Sequence, residues 1–183
     1  MGGRGPSWVS DAFISDVIQV INENSKNYKG YYLIGVSMGG TQALSLGGLL
    51  PEKLRNSMLG IIALIPGSDL LAIAQGSSNQ GVRKTLIASV KGDVSKLKQR
   101  SPHSLIGKYK VNLPFIIFYN EDDSILLNKH LESFINKLRI EHPVSVFSTP
   151  GEHDFTYKNI NYKNLFDELG KNSIVNKRLP MEN

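Results

Sequence analysis

The chain alternates short, continuous apolar runs with longer stretches whose apolar residues recur at helical spacing. Phe13/Ile14, Val17/Ile18 and Val20/Ile21 repeat every three to four positions behind Asp11, an acidic residue suited to a helix's first turn. They predict a helix over about 9–25. Tyr31-Tyr32-Leu33-Ile34 predicts a strand over 31–35. An Ala/Leu/Gly-rich stretch then predicts a helix over about 38–50, which Pro51 helps to end. Gly40, Ala43 and Gly47 share one face of that helix. Glycine inside a helix costs about 1 kcal/mol relative to alanine, so tolerating several implies very close packing on a sheet. Ile61–Ile65, closed by Pro66-Gly67, and Pro114–Tyr119 read as buried strands. Between them, residues 69–110 are polar and helical in patches, and Ser101-Pro102 reads as an N-cap with proline at the first helical position. Leu127, Leu131, Phe134, Ile135 and Leu138 mark one face of a further helix, Val144–Phe147 a last strand, and Phe155, Ile160, Leu165, Phe166 and Leu169 a closing helix. The tail 171–183 is polar and expected to fray. Strands separated by helices imply an α/β fold, a parallel sheet with helices on both faces, in one domain over 1–170.

Composition narrows the class. With 183 residues and 40% hydrophobic content, one domain with a sizeable core is expected. The chain has no cysteine, which excludes disulfides and Cys-based metal sites, and its four histidines have no metal-ligand spacing; no metal or cofactor is expected. The net charge of +5 comes from scattered Lys and Arg rather than a dense basic run, so neither nucleic acid nor a membrane is an expected partner. The N-terminus has no apolar signal-peptide core, and the most apolar window, 58–74, is broken by Pro66, Gly67, Ser68 and Asp69. A soluble, cytoplasmic chain is expected.

The chemistry concentrates at Gly35-Val36-Ser37-Met38-Gly39, a G-x-S-x-G between a strand and a helix. A strand that stops at a serine with a helix behind it holds the hydroxyl in a tight turn beside the helix's free N–H groups. Glycines at 35 and 39 are expected to remove side chains that would clash across that turn. Active sites in open parallel sheets lie beyond the carboxyl ends of the strands. There the chain places Asn120-Glu121-Asp122-Asp123 after one strand and Gly151-Glu152-His153-Asp154-Phe155 after another. A serine nucleophile needs a histidine base held by a carboxylate, and the chain order is Ser, Asp, His.

Gly35-Val36-Ser37-Met38-Gly39-Gly40, Ser101-Pro102 with Leu113–Ile117 and Asp123–Leu126, and Gly151–Phe155 together resemble the C-terminal portion of α/β-hydrolase-fold serine hydrolases, nearest to esterases and prolyl-oligopeptidase-like enzymes. The resemblance covers about residues 2–169. It implies Ser37 as nucleophile, His153 as general base and acid, Asp123 as orienting carboxylate and the Met38 N–H as one oxyanion donor. Asp123 fits the family's G-x-x-D spacing, with Asn120 in place of glycine. Asp122 is the neighbouring alternative and Asp69 an outside one, better read as a helix N-terminal residue. His103, His130 and His142 are expected on the surface. The implied activity is hydrolysis of a carboxylic ester, with a peptidase as the rival and an inactive hydrolase-like fragment as the second class of reading.

The same resemblance exposes a gap. Gly3–Ser7 resembles the family's R-G-x-G-x-S stretch after the fourth strand, so four strands of a usual eight are expected here. A truncated gene model, a fragment of a longer enzyme and a divergent minimal form compete as explanations. The strand at 31–35 would then be an apolar sheet edge, open to an N-terminal half or to a second copy. Residues 69–110 would form a cap over the site. Its Arg83, Lys84, Lys91, Lys96, Lys98 and Arg100 invite an anionic substrate, although a solvated helical surface is the simpler reading.

Overall fold

The computed structural model describes residues 7–154, Asp167 and the backbone of Asn176–Arg178. Its centre is a wholly parallel sheet in the order β1-β2-β3-β4-β5: β1 (Tyr31–Val36), β2 (Met58–Leu64), β3 (Phe115–Asn120), β4 (Val144–Thr149) and β5 (Asn176–Arg178). The strand-helix alternation of the sequence anticipates the first four. The fifth lies in the tail that was expected to fray, where Asn176–Arg178 pairs with Val146–Ser148. Three consecutive polar residues carry no strand period, so only the neighbouring edge of β4 identifies them. The closing helix expected over 155–169 lies outside the described residues, apart from Asp167.

Helices α1 (Asp11–Asn24), α2 (Met38–Leu49) and α7 (Asn128–Glu141) pack through one core with the sheet. That core joins Leu44 and Leu46 of α2, Ile61 and Ala63 of β2, Phe115 and Ile117 of β3, and Leu131, Phe134 and Leu138 of α7. Ser10 caps α1, its Oγ accepting from the Phe13 N–H at 3.2 Å, and Phe13, Ile14, Val17, Ile18 and Ile21 lay its apolar stripe on that core. In α2 every residue from Gly40 to Gly48 is buried, so the helix has no solvent face over that length. The close approach expected of its glycines is present. A Cβ on Gly40 would stand 2.9 Å from the Leu64 carbonyl oxygen, and one on Gly47 2.6 Å from Ile61 Cδ1. The other side of the sheet carries a separate apolar cluster of Ile62, Leu64, Ile116, Phe118 and Phe147, with Phe118 and Phe147 stacked at 4.6 Å.

A short helix α3 (Glu52–Asn56) precedes β2. The segment after β2 folds into α4 (Leu70–Gly76), α5 (Gln80–Ser89) and α6 (Val94–Arg100), then two 3₁₀ turns at Pro102–Ser104 and Ile106–Lys108. Leu70, Ile73, Leu86 and Leu97 from these helices close a third cluster with Trp8, Val9 and Leu126. Ser101 and Pro102 take the N-cap and first positions of the turn at Pro102–Ser104 as expected, but the Ser101 side chain makes no capping bond there. It is buried, accepts from the Leu70 N–H at 2.9 Å and donates to the Leu97 carbonyl at 2.7 Å, joining α6 to α4.

β1 is one edge of the sheet, and among the described residues no strand lies beyond it. Ile34 on that edge is 48% exposed. None of the helices among the described residues is long and apolar enough to cross a membrane.

His142 departs from the expected surface position. It follows α7, is only 5% exposed, and stands edge-on to Tyr109 and Phe115 at 5.7 and 5.3 Å. Neither ring nitrogen makes a hydrogen bond within ordinary geometry, although the Ile106 backbone and Glu141 favour the charged form slightly. Burial dominates and lowers its pKa below the ordinary 6.5. The unfolded chain therefore takes up this proton near pH 6.5 while the folded one does so only at lower pH. Stability is retained above that value and falls as the pH drops through it, by less than the single-proton limit of about 1.4 kcal/mol per pH unit. Urea midpoints between pH 7 and 5 should accordingly decline less steeply in His142→Leu than in the wild type. Parallel declines would remove His142 from the account.

Candidate active site

The elbow is built by backbone closeness. Ser37 follows β1 at φ +52°, ψ −117°, a left-handed conformation that L-residues rarely adopt and that is found disproportionately at functional sites. A Cβ on Gly35 would lie 2.0 Å from the Gly39 carbonyl oxygen and 2.2 Å from its carbon, so position 35 requires glycine. Gly39 differs from expectation: a Cβ there meets nothing within 4 Å among the described residues, because it points out of the turn that Gly35 faces into. The turn is tied to the sheet by the Ser37 N–H to the Leu64 carbonyl at 2.8 Å. Thr41, fully buried, secures it from behind, donating to the Ser37 carbonyl at 3.2 Å and accepting from the Gly67 N–H at 2.8 Å.

Serine is a favoured N-cap because its oxygen accepts from an amide of the first turn, worth about 1 kcal/mol. Ser37 occupies the N-cap of α2 and makes no such bond. Its Oγ lies instead 2.8 Å from His153 Nε2. The first N–H groups of α2, Met38 among them, have no intrahelical acceptor and stand at the positive end of the helix dipole beside that oxygen. The strained turn thus leaves both the hydroxyl and the neighbouring amides free of the capping role.

His153 and Asp123 come from the loops after β4 and β3. His153 Nδ1 stands 2.6 Å from Asp123 Oδ2. Asp123 is 7% exposed, and its other oxygen accepts from the Ile125 and Leu126 N–H groups, each at 2.9 Å. Two amides on Oδ1 fix the carboxylate plane and leave Oδ2 for the imidazole, which selects the tautomer with the proton on Nδ1 and a free acceptor at Nε2. Asp122 is placed differently. Its Oδ2 accepts from the Gly151 N–H at 3.3 Å while its own N–H donates to the Gly151 carbonyl at 3.0 Å. Together with Ser124 Oγ donating to Glu152 Oε2 at 3.1 Å, these bonds lace the two loops together. Gly151 permits the crossing at φ +112°.

The structure thus brings Ser37, His153 and Asp123 into one hydrogen-bonded line and leaves the alternatives outside it. Asp69 caps α4, accepting from the Ala72 N–H at 3.0 Å. His103 pairs with Lys137 at 2.8 Å. Asn120 has no left-handed backbone; it ends β3 and donates to Thr149 Oγ1 at 3.0 Å. Among the described residues no group of three or more His, Asp or Glu is arranged to hold a metal ion.

A cleft of about 400 Å³ opens beside Ser37 and His153, lined by Trp8, Met38, Val82, Thr85 and Ile125 among others. No local signal in the sequence marks Trp8, because what draws it here acts over a long separation. Its indole Nε1 donates to Thr85 Oγ1 at 3.0 Å, 77 positions away, and its carbonyl accepts from Gln42 Nε2 at 2.5 Å.

No protein-family model and no curated protein matches the sequence. Solved structures do match in fold. A puromycin-hydrolyzing peptidase of Mycobacterium tuberculosis superposes with a TM-score of 0.65 at 17% identity, over 91% of this chain and 26% of that one. An acylaminoacyl peptidase of Pyrococcus horikoshii gives 0.64 at 15%, over 92% and 29%. Esterase B of Lactobacillus rhamnosis gives 0.66 at 15%, over 91% and 64%. The chain spans about a quarter of the length of the two peptidases and under two thirds of the esterase. The parallel sheet flanked by helices is that of the α/β-hydrolase fold, matched as a portion of each of these longer proteins.

Proposed function

We propose that the chain is the catalytic portion of a serine hydrolase acting by acyl transfer, most simply on a carboxylic ester. The observation that carries this reading is the continuous line from Ser37 Oγ to His153 Nε2 at 2.8 Å and from His153 Nδ1 to Asp123 Oδ2 at 2.6 Å. Ser37 Oγ attacks the substrate carbonyl carbon while His153 Nε2 takes the hydroxyl proton. Asp123 keeps the imidazole oriented and stabilises its positive charge. The electron pair displaced from the carbonyl forms an oxyanion beside the head of α2, where the Met38 N–H donates to it. His153 returns the proton to the leaving oxygen, the C–O bond breaks and the acyl group stays on Ser37. A water then delivers its proton to His153, attacks the acyl carbon and releases the acid, and the proton returns to Ser37. One oxyanion donor is typically worth on the order of 3 kcal/mol in the barrier. Strands added along the open edge of β1, from a longer chain or a second copy, belong to the same reading.

A peptidase reading has support in the matched structures, two of which are named as peptidases. Comparing kcat/KM for p-nitrophenyl hexanoate with that for a peptide p-nitroanilide separates the two. An ester preference beyond the difference in intrinsic reactivity supports the esterase. Anilide hydrolysis that matches or exceeds ester hydrolysis supports the peptidase, and turnover of neither counts against both.

A further inference from the structure

The cleft beside Ser37 has a wall whose chemistry is specific. Trp8, Met38, Val82 and Ile125 make it largely apolar, and among the described residues Asn79 and Thr85 are the polar side chains lining it apart from Ser37 and His153. Thr85 and the Asn79 side-chain oxygen are already engaged. Asn79 Oδ1 accepts from the Gly81 and Val82 N–H groups at 2.9 and 3.2 Å, capping α5. Thr85 donates to the Val82 carbonyl at 3.1 Å and accepts from the Trp8 indole at 3.0 Å. Among the described residues no Asp, Glu, Lys or Arg lines the cleft. The basic side chains that invited an anionic substrate act elsewhere or away from it. Arg100 binds the Val9 carbonyl at 2.7 Å and pairs with Asp11, which Lys96 also approaches at 3.5 Å; Arg83, Lys84, Lys91 and Lys98 are not in the lining.

Trp8 is held more firmly than an ordinary loop side chain. It is 3% exposed at φ +35°, and its two hydrogen bonds fix the indole from α5 and the carbonyl from α2. Strain of this kind persists only where surrounding contacts over-determine the residue, and it clusters at binding sites.

Resting on the serine-hydrolase reading, we infer that this cleft selects an uncharged apolar group beside the scissile bond, with Trp8 as the specificity-determining wall and Thr85 as the residue that positions it. The volume lies toward the small end of ligand sites and suits a short acyl chain or a single aromatic ring rather than a long lipid tail. A charged group entering the cleft would lose water and find no Asp, Glu, Lys or Arg among the described residues of its lining.

Trp8 is the only tryptophan of the chain, so intrinsic fluorescence reads occupancy of this cleft without any chemistry. The Ser37→Ala protein is titrated with ethyl hexanoate, with anionic monoethyl succinate and with cationic ethyl 4-aminobutyrate. The expected result is a saturable change in Trp8 emission with the neutral ester and affinity at least about tenfold weaker for both charged ones. Equal affinity for a charged ester, or no change in emission with ethyl hexanoate up to its solubility limit, overturns the inference. Because binding is read on a protein without Ser37, failure here is distinct from failure of the hydrolase reading, which appears as absent turnover in the wild type. Thr85→Val should raise KM for the neutral ester several-fold with little change in kcat, and Thr85→Ser should restore it. A loss confined to kcat, or no rescue by serine, removes the positioning role.

Discussion

Replacing Asp123 by asparagine is expected to lower ester turnover by about 10⁴-fold, while Asp122→Asn stays within about threefold of wild type. The two carboxylates are adjacent in sequence and differ in what they touch. Asp123 is buried, receives two amides on Oδ1 and presents Oδ2 to His153 Nδ1 at 2.6 Å. An asparagine there keeps the shape, but the two amides favour its carbonyl oxygen at the Oδ1 position and turn an NH₂ toward the imidazole. The ring must then offer a lone pair at Nδ1 and carry its proton on Nε2, where Ser37 needs an acceptor. Among the described residues the Asp122 carboxylate meets only the Gly151 N–H across an exposed loop, and one such contact in water is worth little. Initial rates with p-nitrophenyl hexanoate, alongside matched urea midpoints, separate loss of chemistry from loss of fold. Equal effects of the two substitutions would contradict this assignment.

Gly35→Ala is expected to destabilise the protein by on the order of 3 kcal/mol, and Gly39→Ala to leave stability unchanged or slightly raised. The first Cβ would have to occupy the space of the Gly39 carbonyl, 2.0 Å away, and the neighbour that must give is backbone of α2. That helix is buried from Gly40 to Gly48 and cannot shift without disturbing β1 and β2. The second Cβ meets open space, and alanine is the better helix former. Urea denaturation followed by circular dichroism measures both. A tolerated Gly35→Ala would mean that the elbow is not closed as described. The G-x-S-x-G pattern therefore contains one steric glycine and one that the turn does not need.

Strand-end logic made most of the site legible. Runs such as Ile61–Ile65 and Pro114–Tyr119 are too apolar to be anything but buried strands, and a parallel sheet places the ends of such strands together. Ser37, Asp123 and His153 each follow one, so three distant positions could be collected from local pattern. The family's G-x-x-D spacing favours Asp123 over Asp122, but the local pattern of the residues alone does not separate two adjacent aspartates. The amides of Ile125 and Leu126 and the lacing at Gly151 do. His142 looked like a loop residue because its neighbours Glu141 and Pro143 are ordinary surface and turn types, whereas Tyr109 and Phe115, from elsewhere in the chain, enclose it. Trp8 was hidden for the same reason, since its partners Gln42 and Thr85 lie on two different helices. Ser101-Pro102 marked the start of its turn correctly, but burial between α4 and α6 gives the Ser101 hydroxyl partners outside that turn.

If Ser37 is an activated nucleophile, a small fluorophosphonate will find it. Such a reagent reacts with a serine whose proton is removed by an oriented base and spares ordinary hydroxyls. Intact-mass measurement of the folded protein after treatment should show a single phosphonyl adduct, peptide mapping should place it on Ser37, and both Ser37→Ala and His153→Ala should abolish it. A folded wild-type protein that takes up no adduct, or that carries it on another residue, would contradict the account.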